Sequence, residues 1–162
     1  MKCIRCGFPL SPGLSFCPNC RQIVLPESYD MPEFNQACIT GMFMNLGLNI
    51  QNYILCEGST GTYAYTSYGK AVNVDGQDII INFNEMELIL FACSKLEKKR
   101  ITHIFRIRRE EIKRLKVSGL FSKTITIETT RNTLKFKLKK KNDMFPNQKV
   151  NAKTLKSMYN LS

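Results

Sequence analysis

The sequence lacks any apolar run that approaches the roughly 20 residues of a transmembrane helix. The residues before Cys3 carry no apolar segment of the kind found in secretory signal peptides. Three scattered cysteines, Cys38, Cys56 and Cys93, suit a reducing compartment, and we expect them to pack as small buried apolar side chains. We therefore expect a cytoplasmic protein, and peripheral association with a membrane is compatible with that location.

Features of an enzyme are equally scarce. The sequence contains one histidine, His103, and neither a cysteine nor a serine stands next to it as a nucleophile. The glycine-containing segment 57–62 lacks the lysine and the strand–helix context of a phosphate-binding loop. No two carboxylates are placed for acid–base catalysis. We therefore expect a protein without enzymatic activity.

Two Cys-x-x-Cys pairs carry the clearest chemistry in the sequence. Cys3 and Cys6 form the first pair, and Cys17 and Cys20 form the second, with ten residues between the pairs. A tight turn can aim both sulfurs of a pair at one point, and two such turns supply four thiolates to a tetrahedral zinc ion. Four thiolates leave no open coordination position, so one zinc ion here would be structural. Iron in the same site and a pair of disulfides are the alternatives.

This stretch resembles the short zinc ribbons at the N-terminus of many bacterial proteins. The residues that carry the resemblance are Cys3, Cys6, Gly7, Phe16, Cys17, Pro18, Asn19 and Cys20. Arg21 departs from the pattern, because such ribbons often have a second glycine there. The resemblance implies a structural zinc module, which we assign to residues 1–24. This segment has too few apolar residues to form a core and is expected to fold around its metal.

Positive charge is concentrated in one part of the chain. The formal net charge is +11, yet residues 95–141 contain 17 lysines and arginines against four acidic residues. The rest of the chain has 7 basic and 9 acidic residues. Such an uneven distribution favours anionic partners, namely acidic lipids, nucleic acid or an acidic protein surface. The alternative is a basic surface that only keeps the protein in solution.

Hydrophobic periodicity divides the rest of the chain into a linker, a helix and a series of strands. Residues 25–53 are predicted to form a linker followed by one helix, with a break near Gly47. From residue 54 the period changes to two, and an early hairpin is predicted within 63–74. Further strands are predicted at 78–83, 86–93, 101–107, 112–117, 124–129 and 134–139. The segment 86–93 is almost continuously apolar, so both of its faces are expected to be buried.

The last strand and the last helix have the clearest patterns. Leu134, Phe136 and Leu138 alternate with lysines, so the apolar side chains should face the core and the lysines solvent. A helix is predicted at 150–161. The apolar stripe of this helix consists of Ala152, Leu155 and Tyr159.

The pleckstrin-homology (PH)-like fold consists of antiparallel strands followed by one amphipathic helix. Residues 54–162 show this order of elements and resemble bacterial PH-like and GRAM-like domains. The resemblance rests on the segments 86–93, 107–117 and 119–121. It implies a mainly-β bent sheet or barrel capped by a helix. It also implies a non-catalytic module that binds membrane lipids or protein partners. The early hairpin carries only Lys70 as a basic residue, so phosphoinositide specificity is not expected.

Basic residues on two predicted strands form the candidate anion-binding site, namely Arg114, Lys116, Lys135, Lys137 and Lys139. If these strands are neighbours, the side chains form a basic band that could dock on an anionic membrane or follow the phosphates of a nucleic acid. We expect an adaptor whose sheet binds an anionic membrane surface or a protein partner, and whose ribbon engages a protein partner. The alternative is a nucleic-acid-binding ribbon protein that uses residues 95–141. No small-molecule substrate is expected.

Overall fold

The computed structural model describes residues 1–3, 5–66 and 69–160. Within these ranges the chain forms ten β-strands, two α-helices and one 3-10 turn. In chain order they are β1 (Tyr29–Asp30), α1 (Gln36–Asn45), β2 (Tyr53–Gly58), β3 (Tyr63–Tyr65), β4 (Ala71–Asn73), β5 (Asp78–Phe83), β6 (Glu87–Cys93), β7 (Arg100–Arg108), the 3-10 turn (Arg109–Glu111), β8 (Ile112–Ser118), β9 (Thr124–Thr129), β10 (Thr133–Leu138) and α2 (Gln148–Met158). The prediction of a mainly-β domain with a C-terminal helix is therefore confirmed.

Eight strands form one antiparallel sheet with the order β1-β7-β6-β5-β2-β10-β9-β8. Two meanders make up most of it: β2, β5, β6 and β7 form the first, and β8, β9 and β10 form the second. The two are joined where β2 pairs with β10, with Cys56 opposite Leu138 and Gly58 opposite Phe136. β3 and β4 form a separate hairpin inserted between β2 and β5. β1 and β8 are the two edges of the large sheet, which is not closed.

Both faces of β2, β5 and β6, three of the four strands of the first meander, are buried. On β6, Leu88 and Leu90 belong to an inner core of 20 buried residues, which also includes side chains of β8, β9, β10 and α2. Ile89 and Phe91 of the same strand belong to an outer core of 13 buried residues, which includes side chains of α1. The continuous apolar pattern of β6 is explained by this arrangement, because a strand between two cores has no solvent face.

The helix α1 covers the outer core, and both of its ends have clear causes. At the start, the side-chain oxygen of Asn35 accepts a hydrogen bond from the N–H of Cys38 at 2.9 Å. At the end, Gly47 has a φ of 71°, and the N–H of Leu48 donates to the Phe43 carbonyl at 2.8 Å. A left-handed glycine with this bond is a common helix terminator. The helix therefore ends at the predicted break near Gly47 and does not resume before β2, so the helical prediction is wrong for residues 48–53.

The helix α2 packs on the inner core. Ala152, Leu155 and Tyr159 are buried, as the predicted stripe requires. The Tyr159 hydroxyl donates to the carbonyl of Asn84 at 2.7 Å, which ties the end of the helix to the β5–β6 turn. Leu161, the last residue of the predicted helix, lies outside the described residues. Neither described helix is long and apolar enough to cross a membrane.

The cysteine-rich segment contacts β7 through Arg106, whose guanidinium is also held in a buried ion pair with Glu87 on β6. Arg106 Nε lies 2.7 Å from a carboxylate oxygen of Glu87, and the two side chains are only 7% and 12% exposed. Arg106 Nη1 also donates to the carbonyl of Ile23 at 2.9 Å. Further along, Tyr29 pairs with Ile101, so the linker adds a short edge strand to the sheet. The sheet and the N-terminal segment therefore share a polar contact that is shielded from water.

Candidate metal centre and basic face

Two short hairpins carry the four cysteines, and their backbone hydrogen bonds are equivalent. The N–H of Cys3 donates to the Phe8 carbonyl, and the N–H of Cys17 donates to the Gln22 carbonyl, both at 2.8 Å. Each bond joins the first cysteine of a pair to the residue five positions later. Each hairpin is thus closed around its Cys-x-x-Cys turn, which holds both sulfurs on one side.

The residue after each pair has the same left-handed conformation. Gly7 has a φ of 72° and Arg21 a φ of 62°. The Gly7 N–H donates to the Cys3 carbonyl at 2.8 Å, and the Arg21 N–H donates to the Cys17 carbonyl at 2.9 Å. Arg21 is the one non-glycine residue with positive φ in the described ranges. The second turn therefore keeps the geometry of the first without a glycine, and the strain of the arginine amounts to roughly 1 kcal/mol.

The four sulfurs form one compact cluster. Cys3 Sγ lies 3.6 Å from Cys20 Sγ, and Cys6 Sγ lies 3.6 Å from Cys17 Sγ. All four lie within 4.8 Å of one another. A tetrahedron with metal–sulfur bonds of about 2.3 Å has sulfur–sulfur edges of about 3.8 Å, whereas a disulfide needs about 2.05 Å. The cluster therefore fits a single metal ion, and these distances suit zinc and iron alike.

The electrostatics of the cluster also call for a cation. The Asn19 side-chain amide and the Phe8 N–H lower the pKa of Cys6 to about 6. At Cys20 the Gln22 N–H lowers the pKa, but burial and the neighbouring thiols raise it more, and it is raised to about 11. Thiolates this close repel one another, so four of them coexist only around a positive ion. When bound, zinc would hold the two hairpins together as a structural cross-link.

Four of the five predicted basic residues lie on one surface of the second meander. In register, Arg114, Glu128 and Thr133 form one row across β8, β9 and β10. The next row is Lys116, Thr126 and Lys135, and the third is Ser118, Thr124 and Lys137. Their neighbours along the strands, such as Leu115, Ile127 and Leu134, point into the inner core. We call this outer surface of β8–β10 the basic face.

The strands that carry the basic residues are not direct neighbours, because β9 lies between β8 and β10. β9 places threonines between the lysines and one acid, Glu128, beside Arg114. The face is therefore a band of four positive charges with hydroxyl groups between them. Since neighbouring strands lie about 4.8 Å apart, the lysines of β8 and β10 stand roughly 10 Å apart, which reduces their mutual repulsion.

Lys139, the fifth predicted residue, is engaged in ion pairs. Its Nζ lies 3.0 Å from Asp78 and 3.4 Å from Glu57. The hydrogen bond to Asp78, the Coulombic attraction of both acids and the bond to Glu57 raise the pKa of Lys139 above its usual range, although partial burial opposes the shift. Its charge is thus largely matched within the protein. Sequence reasoning missed these partners because they lie 61 and 82 positions away on other strands.

The turn between β8 and β9 exposes two large apolar side chains. Leu120 is 94% exposed and Phe121 is 103% exposed relative to an extended reference. In the sequence, the segment 119–121 served only as part of the resemblance to PH-like domains. A local signal was present, because two consecutive large apolar residues are unusual in a tight turn, where small and polar residues dominate.

Comparison with known proteins gave no significant match: no family model matches the chain, and no curated protein or solved structure matches it.

Proposed function

We propose that residues 54–160 form a PH-like domain. Support comes from the order of the elements, which is a four-stranded meander, a three-stranded meander and a helix that packs on the core between them. The sheet stays open between its edge strands β1 and β8, as expected of a bent sheet whose open side needs a helical cover. The β3–β4 hairpin and the outer layer with α1 are additions to that plan.

We further propose that the protein is a non-catalytic adaptor whose basic face docks on an anionic membrane surface. The observation that carries this proposal is the concentration of Arg114, Lys116, Lys135 and Lys137 on one solvent-exposed face, with Glu128 as the one acid of its three rows. Each basic residue near an anionic bilayer contributes about 1 kcal/mol. Four such residues would raise membrane partitioning by about a thousandfold, which is reversible binding.

The ribbon has a separate role in this proposal. Its zinc would be structural, and its surface would engage a protein partner. Phe8 and Phe16 support this role, because they are 40% and 51% exposed although the ribbon has little apolar surface to spare. Aromatic side chains are enriched where protein surfaces meet.

The same aromatic residues support a second candidate, a nucleic-acid-binding ribbon. Exposed Phe8 and Phe16 could stack on unpaired bases, and Lys2, Arg5 and Arg21 lie in the same segment. The basic face would then follow phosphates, with binding that weakens steeply as salt rises.

Co-sedimentation with vesicles separates these candidates. Neutral phosphatidylcholine vesicles and vesicles with 30% phosphatidylserine would be compared at physiological salt, with and without competing RNA and DNA. We expect pelleting only with the anionic vesicles, and loss of pelleting in the variant Lys135→Glu/Lys137→Glu. The matched control is Lys153→Glu/Lys156→Glu, the same charge change on exposed residues of α2. Equal loss in both variants, or complete competition by nucleic acid, would contradict membrane docking by the basic face.

A further inference from the structure

The β8–β9 turn presents an apolar pair at the end of a well-ordered hairpin. The strands are paired up to Ser118 and Thr124, so the turn contains only residues 119–123. Gly119 has a φ of 110°, and a side chain there would overlap the carbonyl oxygen of Ser122. The carbonyl of Lys123 accepts a hydrogen bond from the N–H of Leu138 at 2.8 Å, which anchors the turn to β10. The backbone thus holds a conformation that keeps its tip away from the core.

Leu120 and Phe121, at that tip, are almost fully exposed, at 94% and 103%. A turn of this length could carry polar residues with no loss of packing. The stability of the folded domain therefore does not explain why two large apolar residues occupy the tip. Single exposed apolar residues are common on protein surfaces, and Leu96 in the β6–β7 loop is one. Two adjacent large ones at a hairpin tip offer a compact apolar contact for a partner.

The surroundings of the tip identify the chemistry of that partner. The row of the basic face next to the tip contains Lys137, and the following row contains Lys116 and Lys135, about 7 Å further along the strands. Lys123 lies within the turn itself. An apolar point bordered by positive charges and hydroxyl groups matches the layered chemistry of an anionic bilayer, with phosphate headgroups outside and acyl chains beneath.

We propose that Leu120 and Phe121 insert into the acyl boundary of an anionic phospholipid bilayer while the basic face lies on the headgroups. This inference rests on the proposed membrane docking and adds its orientation: the β8–β9 tip points into the membrane, and the second meander is inclined over the surface with its basic face toward the headgroups. The positive charges of the basic face attract the protein to the anionic membrane surface. Burial of Leu120 and Phe121 then lowers the rate at which it dissociates. Affinity should therefore depend on salt and on the apolar tip together.

The absence of tryptophan from the sequence allows a direct test. Phe121→Trp places a single indole at the tip, and Met44→Trp places one on α1, where Met44 is 66% exposed, as a matched control. With anionic vesicles we expect a blue shift of the position-121 emission and quenching by lipids brominated on the acyl chains. The indole at position 44 should show neither effect. Neutral vesicles should shift neither variant.

A binding measurement completes the test. Leu120→Ser/Phe121→Ser should weaken binding to the anionic vesicles by at least about a hundredfold, the order expected for removing two buried apolar side chains. Met44→Ser should bind as the wild type does. Because the substituted residues are exposed, unchanged Tm values would verify that the variants fold.

The outcomes distinguish the inference from the proposed function. If the protein pellets with anionic vesicles while the indole at position 121 stays water-exposed, membrane docking stands and insertion is wrong. If the serine variant binds as tightly as the wild type, insertion is also wrong. If the wild type does not pellet at all, both the proposed membrane docking and the insertion are wrong, and the tip is left for a protein partner.

Discussion

The N-terminal four-cysteine segment, proposed above to be a zinc ribbon, and the sheet domain differ in how much side-chain burial can stabilise them. Among the described residues, the ribbon buries three side chains in its own cluster, Cys3, Leu10 and Cys17, whereas the inner core of the sheet buries 20. A large buried aliphatic side chain contributes about 1.5–3 kcal/mol, so Leu10 cannot offset the conformational entropy of 24 residues. We infer that the sheet domain folds by burial and that the ribbon depends on a bound metal ion. A chain can therefore add a module too short for a core when four side chains bind one ion.

The largest expected effect is the loss of the metal. Structural zinc in small modules contributes about 10–16 kcal/mol to folding, so Cys17→Ser or a strong chelator should unfold the ribbon. The amide signals of residues 1–24 should collapse in a two-dimensional NMR spectrum, and those of the sheet should remain. Elemental analysis should give one zinc per wild-type chain and far less for the variant.

Cys38→Ser is the control for that change, because Cys38 is half-buried on α1 and lies outside the sulfur cluster. It should leave the zinc content unaltered. Unfolding of the whole protein on chelation would contradict the idea that the two regions are stabilised separately. If elemental analysis finds iron in place of zinc, the structural role of the site stands and the assignment of zinc is wrong.

The second-largest effect is expected from removing the contact between the ribbon and the sheet. Arg106→Ala leaves the Glu87 carboxylate buried without its partner and removes the bond to the Ile23 carbonyl. Loss of one member of a buried ion pair costs about 3–5 kcal/mol, which should appear as a lower free energy of unfolding of the sheet. The double change Arg106→Met/Glu87→Leu should recover much of it, since neither charge is then left unpaired. If the single variant loses less than about 1 kcal/mol, the ion pair is solvated and the contact is loose.

A smaller loss of stability is expected at Gly58, where the backbone of β2 closely approaches that of Val74. At Gly58 on β2 a side chain would overlap the carbonyl oxygen of Val74, so Gly58→Ala forces the backbone of the hairpin segment away. We expect a loss of about 1–3 kcal/mol in urea unfolding, with zinc content unchanged. Gly41→Ala is the control, because its new methyl group meets no atom within 4 Å and lies inside α1. That change should stabilise the protein by up to about 1 kcal/mol. A neutral Gly58→Ala would show that Val74 can move freely.

The smallest effect concerns the two turns of the ribbon. Arg21→Gly should relieve roughly 1 kcal/mol of left-handed strain, and Gly7→Ala should introduce a similar amount. Competition with a zinc chelator should therefore show tighter metal binding for the first variant and weaker binding for the second, by up to about tenfold each. Equal affinities in both variants would mean that the turns adjust their backbone at no cost.

Local patterns predicted much of this protein because they report burial. The alternation of Leu134 and Phe136 with lysines placed β10 correctly, and the continuous apolar run of β6 indicated two covered faces. The cysteine spacing predicted the sulfur cluster, because two-residue turns leave few other geometries. Gly47 marked the point where α1 ends. In each case the signal lies within a few residues of the element that it predicts.

Long-range contacts were beyond such patterns. Lys139 had the same alternation as Lys135 and Lys137, yet it faces Asp78 and Glu57. Gln148 is polar, yet it is buried and exchanges hydrogen bonds of 2.8 Å with both backbone groups of Leu55. Neither fact has a local signature, because the partners are distant in sequence.

The sequence by itself therefore determined the sulfur cluster, the faces of the strands and the excess of positive charge. Only the tertiary structure decided that β9 separates the basic strands, that Arg106 connects the sheet to the ribbon, and that Leu120 and Phe121 stand clear of both cores. The physical reason is that periodicity records whether a side chain is buried, whereas the choice of its neighbour depends on which strands pair across the sheet.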